Sequence, residues 1–77
     1  MNKPSQSEMA IALTSNLPPT NTNLLKQWKE EAKDVDLQVL IACWIGRVDG
    51  EIKSELEFYD EHQKVHEKLE EGFYEEK

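Results

Sequence analysis

The sequence predicts an all-α fold, a small bundle of three to four helices, from three observations. Apolar residues recur at helical spacing, a capping residue stands ahead of each apolar run, and Pro-Pro and Asp-Gly steps separate the runs. The expected helices cover residues 6–15, 23–34, 36–48 and 54–72. With 77 residues the chain makes one domain at most. Chains this short bury a small share of their surface, so homodimerisation is expected to complete the bundle.

Ser5 and Glu8 have the spacing of a capping box ahead of Met9, Ala10, Ile11, Ala12 and Leu13, which gives a short first helix. The Asn16 to Asn23 stretch, with Pro18 and Pro19, ends it and reads as a linker. Residues 1–22 are therefore assigned as a flexible N-terminal segment, and 23–77 as the helical domain with an acidic C-terminal helix.

Thr22 or Asn23 is positioned to cap the second helix, where Leu25, Trp28, Ala32 and Val35 recur at helical spacing. Asp36 is positioned to cap the third, whose stripe is Leu37, Leu40, Ile41, Trp44, Ile45 and Val48. Val39, Ala42 and Cys43 are apolar too, so this segment reads as central, and one continuous helix over 23–48 is also compatible with the pattern. A competing α+β assignment places a hairpin at 37–53, because Val, Ile and Trp form strands and Asp49-Gly50 suits a two-residue turn. Against it, period-2 alternation is missing.

Ser54 and Glu57 form another capping box ahead of the last helix, which Gly72 is placed to end. Two apolar lines run along it. One passes through Leu56, Tyr59, Val65 or His66, Leu69 and Phe73; the other, close to a heptad, through Phe58, Val65, Leu69 and Phe73.

Charge is the most informative count. The formal net charge is -7, with 16 acidic against 9 basic side chains, and residues 1–48 are balanced. Residues 49–77 hold eleven carboxylates against Lys53, Lys64, Lys68 and Lys77, which is the whole excess. Direct nucleic-acid binding is not expected of such a surface, since it rests on cationic contacts to phosphates. A basic protein partner is the natural counterpart. The longest apolar run, 39–45, is too short to span a membrane, the N-terminus makes a poor secretory signal, and the lone Cys43 suggests a reducing compartment, so a cytoplasmic location is expected.

Chemistry finds little support. Around Gly50, a calcium-loop alignment would place Ile45, Arg47 and Leu56 at ligand positions, so Gly50 reads as a turn glycine. His62, His66 and Glu70 follow at i+4 steps and are weak metal candidates; Gln63 after His62 breaks the zincin form. Cys43 as nucleophile, with a histidine base, competes with a buried and inert thiol. With no phosphate loop and no nucleophile elbow, the chain reads as neither an enzyme nor a cofactor binder.

Two functional expectations follow. The first is a small acidic regulatory or inhibitory protein of the phage or plasmid accessory type. It would engage a basic protein through Glu51, Glu55, Glu57, Asp60, Glu61, Glu67, Glu70 and Glu71, in the manner of a DNA mimic. The second is an assembly adaptor acting through Trp28, Trp44, Phe58, Tyr59, Leu69 and Phe73, which are also the expected apolar interface.

Overall fold

The computed structural model describes residues 4–51 and 54–74. Four helices follow one another: α1 (Gln6–Leu13), α2 (Thr22–Glu31), α3 (Val35–Val48) and α4 (Glu55–Glu70). No strand occurs among the described residues, and α3 runs through the segment that the hairpin alternative required. Periodicity outweighs the β propensity of Val, Ile and Trp there.

Every helix begins on a side-chain cap. Ser5 accepts from the Glu8 N–H, Asn21 from the Asn23 and Leu24 N–H groups, Asp34 from the Leu37 N–H, and Ser54 from the Glu57 N–H. Two caps differ from expectation. Asn21 replaces Thr22 or Asn23, and Asp34 replaces Asp36, which lies inside the first turn of α3. The Asp34 cap also decides that α2 and α3 are two helices. Ala32 is extended at ψ 131° and Asp34 at ψ 134°, so the chain leaves the helix and restarts. Val35 thereby falls off the α2 stripe and is 68% exposed.

The C-termini of α3 and α4 use one device. The Gly50 N–H donates to Arg47 O at 3.2 Å and the Glu51 N–H to Gly46 O at 2.7 Å. At α4 the Gly72 N–H donates to Leu69 O at 3.0 Å and the Phe73 N–H to Lys68 O at 2.9 Å. Both are Schellman pairs around a glycine at positive φ, 78° for Gly50 and 75° for Gly72.

Helix α3 packs against the other three. Its pairing with α2 is antiparallel, since the connection spans only residues 32–34 and Thr22 Oγ1 meets Asp49 Oδ1 at 3.3 Å at the far end. It is antiparallel to α4 as well, because Lys68 near the end of α4 reaches Asp34 at the start of α3. The core comprises Met9, Ala10 and Leu13 from α1, Leu25 from α2, Leu37, Leu40 and Ile41 from α3, and Phe58 and Val65 from α4, with Ala32 and Tyr74.

The division of the chain at residue 22 does not describe this packing. Met9, Ala10 and Leu13 are fully buried, and Gln6 clamps the end of α2, donating to Glu31 O at 3.1 Å and accepting from the Lys33 N–H at 2.8 Å. The apolar run of α1, too short for a strong periodic signal, is held by long-range contacts that sequence spacing does not display.

Candidate functional site

Helix α4 shows which of its two apolar lines is the inner one. Phe58 and Val65 are buried and Leu69 packs against them, whereas Leu56 is 83% exposed and Tyr59 is 53% exposed. The line through Leu56 and Tyr59 is thus not a core line. At 3.6 residues per turn, Leu56, Asp60, Glu67 and Glu71 project within about 60° of one another, about 180° from the Phe58–Val65–Leu69 side. This outward face of α4 is the candidate site.

The acidic side chains expected to act together divide into three groups. Asp60, Glu67 and Glu71 lie on the outward face, with Glu57 and Glu70 at its borders, and all five are exposed. Glu61 turns inward: its side chain is only 19% exposed and binds Lys64 at 3.1 Å. Glu51 stands at the end of α3 and Glu55 is the first residue of α4, both exposed. The further carboxylates of the acidic run, Glu75 and Glu76, lie outside the described residues.

Neutralisation on this face is slight. Lys64 serves Glu61 and, at 3.7 Å, Asp60. Its hydrogen bond to Glu61 holds the ammonium pKa above its ordinary value. Lys68, the other cation of α4, points away, to Asp34 at 2.8 Å and Asp36 at 2.6 Å. Glu55, Glu57, Glu67 and Glu71 have no lysine or arginine partner among the described residues. The confined negative charge therefore stays unbalanced on the side facing solvent.

That use of Lys68 belongs to a cluster the spacing did not announce. Asp34 caps α3, accepts from Lys68 Nζ and accepts from the Tyr74 hydroxyl at 2.9 Å. Burial pushes the Asp34 carboxyl up, but the hydrogen bonds from Lys68, Tyr74 and the Leu37 N–H outweigh it and hold the pKa below the usual range. Burial likewise opposes charge on Lys68, and Asp34 and Asp36 reverse the balance and raise its pKa. Burial and the Asp34 carboxylate both push the Tyr74 phenol up. Phe73 lies under the Lys68 ammonium, 4.7 Å from Nζ to the ring centroid, and is itself 58% exposed. The cluster pins the start of α3 to the end of α4 and is structural.

The expected apolar interface is largely used within the chain. Trp44 meets Phe58 edge-on at 4.8 Å between centroids, Arg47 lies 4.8 Å from the Phe58 ring, and Trp28, Trp44 and Leu69 are partly buried against the core. Tyr59 and Phe73 alone of that set remain open. The side chains of the expected apolar interface are therefore mostly covered within the chain.

The metal candidates separate. His66 Nε2 meets Glu70 at 3.3 Å, while His62 packs toward Phe58 at 6.0 Å between ring centroids. His62 Nδ1 is buried without a hydrogen-bond partner among the described residues, as is Trp44 Nε1. Burial and the neighbouring His66 lower the His62 pKa. No group of three His, Cys, Asp or Glu is placed to hold a metal among the described residues. Cys43 is half-buried in α3, and burial followed by the charges of Glu61 and Glu57 pushes its thiol pKa up, against a nucleophilic role. No helix among the described residues is long and apolar enough to cross a membrane. No family model matches the chain, and no curated protein or solved structure matches it.

Proposed function

We propose that the protein is a small, acidic, non-catalytic regulator of the cytoplasm that binds a basic protein through the outward face of α4. One observation carries the reading: the face keeps Asp60, Glu67 and Glu71 exposed, with Lys64 at its edge shared between Glu61 and Asp60 and Lys68 turned away to Asp34. A 16-residue helix is about 24 Å long, and Asp60, Glu67 and Glu71 spread negative charge over about 16 Å of it, two turns and then one turn apart. Such a spread suits a cationic channel, including one that otherwise takes a nucleic-acid backbone, and inhibition by occupying that channel is the form of regulation it favours.

The test is capture from the native lysate at low and high salt, with wild type and an Asp60→Lys, Glu67→Lys, Glu71→Lys triple variant. The wild type is expected to hold a basic protein at low salt and release it at high salt, and the triple variant to lose it. Equal capture by both at low salt would overturn the charge-led reading.

A second reading, an assembly adaptor or homodimer, is favoured by Ile11 and Phe73. Ile11, 56% exposed, lines a groove between α1 and the end of α4 to which Gly72 and Tyr74 contribute, and Phe73, between those two in sequence, is 58% exposed. Sedimentation at rising concentration tests it: a monomer throughout removes the homodimer.

A further inference from the structure

The outward face of α4 is not purely acidic. Leu56, 83% exposed, and Tyr59, 53% exposed, stand three residues apart in its first turns, on the solvent side of a helix that already has a complete inner stripe. Together with Glu57, Asp60 and Gln63 they line one shallow surface depression. Neither residue is needed to close the core, and Leu56 is the most exposed large apolar residue of α4.

We infer that Leu56 and Tyr59 are apolar anchors of a docking surface whose occupant is a partner with an apolar cleft rimmed by lysine or arginine. This rests on the proposed acidic-regulator reading and specifies its partner. Charge selects the occupant. A second copy placed two-fold on this patch would bring the Glu57 and Asp60 carboxylates of one copy against those of the other, and like charges brought together in an interface are costly. A neutral apolar groove would have to desolvate Glu57 without compensation and Asp60 with only Lys64, at 3.7 Å, beside it. A cationic rim pairs them while the cleft takes the leucine and the tyrosine, the usual arrangement of a helix laid in a groove with anchors at i and i+3. Charge would then speed and orient the encounter, and the two side chains would slow dissociation.

Two synthetic peptides of equal charge test this: a lysine hexamer and a peptide alternating six lysines with six tryptophans, titrated by calorimetry and followed by amide NMR shifts. The wild type is expected to bind the lysine-tryptophan peptide at least about tenfold more tightly than the hexamer, with the largest shifts around Leu56 and Tyr59. A Leu56→Ser, Tyr59→Ser double variant is expected to erase that difference and leave hexamer binding unchanged. Because both side chains are exposed, the variant keeps its fold, which circular dichroism checks. A difference that survives the double variant, or was never present, overturns the anchors. Concentration-dependent dimerisation that the double variant abolishes overturns the occupant, since a second copy then covers the face. The Asp60→Lys, Glu67→Lys, Glu71→Lys triple variant separates this inference from the reading beneath it. Loss of hexamer binding supports both, whereas unchanged hexamer binding with anchor-dependent tryptophan binding fails the charge reading alone.

Discussion

At the residue scale Asp34 joins two helices, since it caps α3 and accepts from Lys68 and Tyr74 at once. Its side chain is 12% exposed and that of Lys68 25%, so solvent screens the pair less than an open surface bridge. Asp34→Ala removes the cap and the acceptor of the Tyr74 hydroxyl, leaves Lys68 with Asp36 alone, and should cost about 2 to 3 kcal/mol. Tyr74→Phe removes one hydrogen bond and should cost about 1 kcal/mol, both read from urea unfolding. Because the folded Asp34 pKa lies below its unfolded value near 3.8, its contribution is present above that pH and is lost as the pH falls through the folded value. Asp34→Asn, which can still cap, should flatten this acid limb. His62 has the opposite chemistry and a different window. Its folded pKa lies below the unfolded 6.5, so the unfolded chain binds the proton first and stability declines as the pH drops below about 6.5. The decline ends once the folded histidine also protonates. Thermal melts between pH 7.5 and 5 should show this slope in wild type and His66→Gln but not in His62→Phe; a slope unaltered by His62→Phe would mean that another group sets it.

At the element scale, the glycine terminations of α3 and α4 do work that no other residue type does cheaply. Gly50 has φ 78° with nothing within 4 Å of a Cβ placed on it, so the cost of Gly50→Ala is conformational alone, about 1 kcal/mol. Gly50→Asn should recover part of it, since asparagine tolerates this region; equal losses for both substitutions would point to a cause other than backbone conformation. The elements also show where pattern reading stops. Capping boxes at Ser5 and Ser54 and the stops at Gly50 and Gly72 are local in sequence and were readable. The inner line of α4 was not, because Leu56–Tyr59 and Phe58–Val65–Leu69 both satisfy helical spacing. Contact with Trp44 on α3 selects Phe58, and only then do Leu56 and Tyr59 become surface.

For the molecule as a whole, the first helix decides whether one chain suffices. The radius of gyration of 11.7 Å is close to the roughly 11.5 Å of a compact chain of this length, and α1 supplies three fully buried residues. Domains this small have only about 4 to 12 kcal/mol of stability. Removing residues 1–20 should therefore abolish cooperative unfolding, as seen by circular dichroism in urea, whereas a retained sharp transition would restore the N-terminus to the status of a separable tail. Composition and periodicity alone favoured the all-α class with three to four helices over a hairpin at 37–53, and placed most of the helix ends and the crowding of negative charge into the last 29 residues. Those properties depend on neighbours within one or two turns. The tertiary structure decided that α1 belongs to the core, that Asp34 and not Asp36 starts α3, that Glu61 turns inward, and that the side of α4 carrying Leu56, Tyr59, Asp60 and Glu67 is the one turned to solvent. Each of these depends on which surface of a helix meets another helix many residues away. A helical repeat fixes how side chains are arranged around an axis, but the direction in which that axis is turned is set by packing.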